Sequence, residues 1–274
     1  MAPTTRSHKS LPAEKPSPQA MFMEIVQKIS TATQPTELLY DKIEREEGEL
    51  LYQSLATQKD VEQRSARLTY NAFLKILRIE VMPTRLHDAH QRWAINASQN
   101  WARDGTLNSQ ESEILNMGVS TTFDGFTGVY QGSAKEPDFF FQIDSNDFPS
   151  IVIESGWSES FSHLRADKDL WIMGNNSVTM VILLKWSRMS GGKVRGQAEV
   201  WQRNAGGTIL SNETSIFPEP SATSPDRIQF TKRQLFGSAM LPGQDPDSVL
   251  SLEMNMLRQI AEEVITRKLG LVPA

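Results

Sequence analysis

The stretch from residue 139 to residue 186 limits this chain most. FFFQI at 139–143 and SIVIE at 150–154 carry the aromatic and β-branched character of strands, and DSNDFP between them has the chemistry of a turn. Residues 159–173 read as a helix. SVTMVILLKW at 177–186 is strongly apolar, as a strand covered on both faces must be. The order is therefore strand, turn, strand, helix, strand.

Around this block the pattern is less regular. Residues 36–57 repeat Leu38, Leu39, Ile43, Leu50, Leu51 and Leu55 at broadly helical spacing about an acidic centre, a solvated face. A further helical stretch is expected within 60–79, and Met82-Pro83-Thr84 breaks the chain before the next helix, with Thr84 as its cap. Along 85–103, Leu86, His90, Trp93, Ala97 and Trp101 form one apolar stripe facing the core. Beyond Gly118 the chain reads as extended, with Gly125, Gly128 and Gly132 at bends. A strand is expected at 197–202, loops with short strands over 203–247, and an amphipathic helix from Val249 to Leu269.

Residues 1–20 contain almost no large apolar side chain, so they read as a disordered tail preceding one domain at 21–274. There is no secretory-type apolar stretch and no run long enough to span a membrane, which points to an intracellular protein, cytoplasmic or nuclear, without membrane contact. The absence of cysteine excludes disulfides, thiolate zinc sites and a cysteine nucleophile. A net charge of −5 is not the general signature of a nucleic-acid binder, although a local basic groove is compatible with it.

Asp138 and Glu154 lie symmetrically about Asn146, so an antiparallel hairpin turning there sets them opposite each other. Opposed side chains of that kind have Cβ atoms about 4.5–5.5 Å apart. Two carboxylates so close repel unless a cation separates them, and hard oxygen ligands suit Mg²⁺ or Mn²⁺. Strand alternation puts Val152, Glu154 and Gly156 on one face, so position 156 points toward the same place. A cationic side chain there could orient an attacking water and offset charge on a phosphate, and glycine supplies neither function. Solvated acids at a turn and a strand end are the plain alternative.

KEPD at 135–138, PSIVIESGWSES at 149–160, HLRADKDLW at 163–171 and VTMVILLKW at 178–186 resemble a family of largely uncharacterised fungal proteins with a restriction-endonuclease-like, PD-(D/E)XK fold. The similarity extends upstream to PTRLHDAHQRW at 83–93, giving a core of about 83–202. The resemblance implies an α/β fold with a mixed central sheet flanked by helices, plus N-terminal and C-terminal helices, and an ancestry of Mg²⁺- or Mn²⁺-dependent phosphodiester hydrolysis. In its pattern Asp138 looks like the first acid, Glu154 the second, and Asp88 an additional metal ligand from the preceding helix. Gly156 stands where the motif has lysine. Related proteins move that lysine onto the following helix, which makes Lys168 a catalytic candidate; alignment by eye also allows Asp167 at the migrated position.

Lys168 is a charge on the otherwise apolar stripe of Phe161, Leu164, Trp171 and Ile172, so it needs a partner or must reach water. Lys135 is a third cationic candidate, less favoured because strand alternation sets it on the opposite face from Asp138. Other constellations are weaker. His87 and His90 have helical i, i+3 spacing but no HExxH context, and a buried His90 is the plainer reading. SGGKVRGQ at 190–197 lacks P-loop spacing and reads as a hairpin turn. Two functions follow: a metal-dependent nuclease acting on DNA or RNA, or a catalytically inactive module of the same fold that binds nucleic acid or a protein partner.

Overall fold

The computed structural model describes residues 16–82, 86, 89–157, 161–204, 207–221 and 226–274. It begins with α1 (Pro18–Thr31), whose first turn is capped by the Ser17 side chain accepting from the Ala20 N–H, within the stretch read as a tail. Then come β1 (Thr36–Tyr40), α2 (Arg45–Ala56), α3 (Lys59–Gln63), β2 (Arg67–Asn71), β3 (Ile76–Val81), α4 (Ala89–Arg103), α5 (Ser109–Ile114) and β4 (Leu115–Gly118). The central part holds β5 (Ala134–Lys135), β6 (Phe139–Ile143), β7 (Ile151–Trp157), α6 (Phe161–Gly174), β8 (Met180–Arg188) and β9 (Lys193–Asn204). The chain closes with β10 (Gly207–Phe217), β11 (Arg227–Thr231), α7 (Lys232–Phe236), β12 (Val249–Glu253), α8 (Met254–Arg267) and β13 (Val272–Pro273).

Most strands form one mixed sheet in the order β10-β9-β8-β7-β6-β4, with β13 added beside β9. β7 and β8 run parallel, because α6 carries the chain back across the sheet between them, and the neighbouring pairs β4-β6, β6-β7 and β8-β9 are antiparallel. The strands are apolar on both faces for a reason visible in the packing. Phe139, Phe141, Ile153, Ile182 and Trp186 pack among residues of α4 and α8 on one side, while Phe140, Val152, Val181 and Leu183 pack with Leu164 and Trp171 of α6 on the other. The α4 stripe faces the core as its spacing predicts, and Trp93 and Trp101 donate their indole N–H groups to the Glu253 and Ser251 carbonyls at 2.8 and 2.9 Å.

A second sheet, ordered β1-β3-β2-β5, covers α1 and α2 with one face. Its existence departs from the helical expectation over 36–40 and 60–79. Leu68, Tyr70, Leu77, Ile79 and Val81 alternate with Arg67, Thr69, Arg78 and Glu80, a period of two that puts the apolar set against the helices and the polar set on the other face. Lys75 closes the β2–β3 turn with a φ of 57°. Similarly, Val249–Glu253 is a strand paired with β11, not the first turns of the final helix. No helix among the described residues is long and apolar enough to cross a membrane.

Candidate functional site

The β6–β7 register is Phe139↔Ile153, Phe140↔Val152 and Phe141↔Ile151, so the next step outward sets Asp138 beside Glu154, as the symmetry about Asn146 requires. Both are buried, on the α6 side of the sheet. The Ser155 N–H donates to Asp138 Oδ2 at 2.6 Å, and the Arg67 guanidinium pairs with Asp138 Oδ1. The Trp171 indole N–H donates to Glu154 Oε1 at 2.5 Å, and the Lys135 ammonium lies 3.3 Å from Glu154 Oε2. All four carboxylate oxygens of the pair therefore have partners from the chain itself.

Lys135 is the centre of this arrangement. Its Nζ is 3.3 Å from Glu154 Oε2, 3.2 Å from Asp167 Oδ2 and 3.3 Å from Thr69 Oγ1, three oxygens for the three ammonium protons. Strand alternation mispredicts its side, because Lys135 and Asp138 do not share a strand. Lys135 belongs to β5, paired through Thr69↔Lys135 with the second sheet, and the chain crosses to the large sheet over Glu136 and Pro137 before β6 begins. Asp167, from α6, is also paired with Arg78 of β3, which in turn lies 3.6 Å from Glu80 and 3.8 Å from Glu37. The polar face of the second sheet thus supplies Arg67, Thr69, Arg78 and Lys135 to Asp138, Glu154 and Asp167.

Burial disfavours the Lys135 ammonium, but Asp167 and Glu154 beside it outweigh that and hold its pKa above the ordinary value. Burial, reinforced by Asp138 and Asp167 and opposed by Lys135, pushes the Glu154 carboxyl up to about 8. The lysine keeps its proton and the glutamate yields its own reluctantly. An incoming metal ion would have to displace the ammonium.

The other candidates fall elsewhere. Lys168 is buried, but its ammonium pairs with Asp169 and lies 4.2 Å from the centre of the Trp201 ring, at the sheet end where Glu199 accepts from Arg165. Its partner is thus a cation–π and carboxylate pair, not Asp138 or Glu154. Asp88, His87 and Thr84 lie outside the described residues. His90 is buried and meets Phe139 edge-on at 6.4 Å. Ser190–Gly192 forms the turn read from SGGKVRGQ, with Gly191 and Gly192 at φ of 73° and 72°.

Gly156 points as expected to the Glu154 side, and the space beside it is filled. A Cβ built there would stand 3.2 Å from Leu164 Cδ1, so an α6 leucine occupies the path a motif lysine would take. The residues present do not fit Mg²⁺ or Mn²⁺. The three oxygens around Lys135 stand at ammonium distances of 3.2–3.3 Å, against about 2.0–2.1 Å for Mg²⁺ ligands. Among the described residues no group of three or more His, Asp or Glu could hold a metal ion.

Arg67, Arg78 and Thr69 were not legible as site residues from the motif, which begins at position 135. The one available signal was the two-residue alternation along 67–81, which marks a sheet with a polar face in need of partners. Next to Arg67 a cavity of about 410 Å³ opens, lined by Glu62, Ser65, Gln91, Ser120 and Glu136. Burial, opposed by Arg67 and Lys135, raises the Glu136 carboxyl to about 7. No protein-family profile, no curated protein and no solved structure matches this chain.

Two outcomes follow from this geometry. Gly156→Lys, restoring the motif residue, should lower stability by roughly 1–3 kcal/mol through overpacking, and Leu164→Ala in the same chain should recover part of the loss in urea unfolding. Glu136 titrates higher in the fold than in the unfolded chain, so the folded state binds the extra proton, and its contribution is present below about pH 4.5 and lost as pH rises toward 7. Urea unfolding at pH 5 and pH 8 should show a decline in the parent chain that Glu136→Gln reduces; equal declines would contradict the assignment.

Proposed function

We propose that this chain has a restriction-endonuclease-like core whose acid pair no longer works as a metal site, so that it serves as a non-hydrolytic binding module. The hairpin, helix and parallel strand of β6, β7, α6 and β8, with Asp138 and Glu154 opposed at the open end of the hairpin, support descent from a PD-(D/E)XK nuclease. The observation that carries the loss of hydrolysis is the partnering of every oxygen of that pair by Arg67, Ser155, Trp171 and Lys135. A metal-dependent nuclease needs acids with free lone pairs and an open path for the phosphate. Here Lys135, Arg67 and Arg78 are paired with Asp138, Glu154 and Asp167, so the positions a divalent ion would take beside these acids are held by side-chain cations. The overall charge of −5 favours a protein over a nucleic acid as the partner.

One observation favours the hydrolytic reading instead. Lys135 brings an ammonium to Glu154 where Gly156 cannot, and a nuclease could use it in place of the motif lysine. The same experiment separates the two. Purified protein is incubated with single- and double-stranded DNA and RNA in Mg²⁺ or Mn²⁺, beside Asp138→Ala/Glu154→Ala. We expect no metal-dependent cleavage above that variant; cleavage that the double substitution abolishes would establish the nuclease and sink the module reading.

A further inference from the structure

We propose that the cavity between α2 and the segment 122–134 binds a small organic cation, a protonated amine carried on an aromatic or alkyl stem. None of Asp138, Glu154, Asp167 and Lys135 lines it, so the inference goes beyond the reading of the acid pair and does not depend on it. The cavity has a volume of about 660 Å³. Small-molecule sites that bury most of their ligand measure about 300–1,000 Å³. Its walls are set before any ligand arrives. Phe123 and Lys135 exchange backbone hydrogen bonds of 3.0 and 2.9 Å at the ends of the segment, and the Thr127 N–H donates to the Gly174 carbonyl at 2.7 Å. On the helix side the buried Tyr52 has its hydroxyl 3.3 Å from Thr122 Oγ1, which ties α2 to the segment. Phe126 is buried as well, its ring held 5.1 Å from Phe148 and 5.3 Å from Trp171. Gly132 sets how closely the walls approach. Its φ is 86°, and a Cβ there would stand 2.2 Å from Glu49 Oε1, so a glycine leaves that carboxylate its place.

The lining decides the sign of the ligand. Glu49 comes from α2 and Asp124 from the segment, and no lysine, arginine or histidine is among the described residues that line the cavity. Neither acid makes a hydrogen bond or ion pair with another described residue. Arg45, one turn earlier on α2, lies with its stem against Gly132 and outside the lining. Burial pushes the Tyr52 phenol up, and Glu136 and Asp124 push it further, so it stays neutral and offers a hydrogen-bonding oxygen. The Tyr52 and Phe126 rings give the stem of a ligand apolar surface, and both can attract a cation through the ring face. Two carboxylates beside two aromatic rings recognise an ammonium by charge-assisted hydrogen bonds and cation–π attraction, and they repel an anion.

Calorimetric titration of the full chain tests this with four probes: 2-phenylethylammonium, its neutral counterpart 2-phenylethanol, the anion 3-phenylpropionate, and a capped peptide carrying a single lysine. The same titrations are run on Glu49→Gln/Asp124→Asn, which keeps the shape of both side chains, and thermal unfolding checks that the variant folds. An ammonium probe should bind, the alcohol more weakly, and the propionate not at all. The double substitution should weaken ammonium binding roughly five- to tenfold at low salt. Tighter binding of the free amine assigns the cavity to a small molecule, and tighter binding of the peptide assigns it to a lysine of a partner; both support the proposal. No binding of either ammonium probe overturns it, as does binding that the alcohol matches or that the double substitution leaves unchanged. If the double variant does not fold, Glu49→Gln and Asp124→Asn are tested singly under the same criteria.

Discussion

Lys135 is placed by one sheet and held by the other. Its backbone pairs with β2 in the four-stranded sheet, while its ammonium lies against Glu154 of β7 and Asp167 of α6. Arg67 and Arg78 repeat this pattern, reaching from β2 and β3 to Asp138 and Asp167. The polar face of the small sheet is thereby pinned to the open end of the β6–β7 hairpin and to α6 by four buried ion pairs. Each member depends on the others, since removing one partner of a buried pair leaves an uncompensated charge at a cost of about 3–5 kcal/mol.

The same interaction decides what the acid pair can do. Opposed carboxylates are a strained arrangement that requires positive charge, and proteins meet that requirement either with metal ions or with side chains. In this chain side chains meet it, supplemented by the Ser155 amide and the Trp171 indole. Leu164 closes the adjacent space at Gly156 with a hydrocarbon. The surroundings of the acids are those of a structural joint.

Much of this was legible in the sequence where the signal was local. The strand, turn, strand, helix, strand order and the register that opposes Asp138 to Glu154 follow from apolar runs placed symmetrically about one turn, and the β6–β7 pairing has that register. The α4 stripe was equally plain, because five side chains at helical spacing leave one solution. The small sheet was not. Its strands are short, and Leu38, Leu39 and Ile43 fit helical spacing continuous with Leu50, Leu51 and Leu55, so only pairing across the chain separates the two. Lys135 was misjudged for a related reason: alternation holds within a strand, and between Lys135 and Phe139 the chain changes sheets. The role of Lys168 depended on Trp201 and Asp169, of which the first lies on a strand 33 residues away in the chain, a distance that no local pattern spans.

An ammonium, not a metal ion, stands among Asp138, Glu154 and Asp167. Anomalous diffraction from crystals grown in Mn²⁺ tests it directly. No manganese peak is expected within the cluster, and Lys135 Nζ should lie in contact with Glu154 and Asp167. A peak coordinated by Asp138 and Glu154, with the Lys135 side chain displaced, would contradict it.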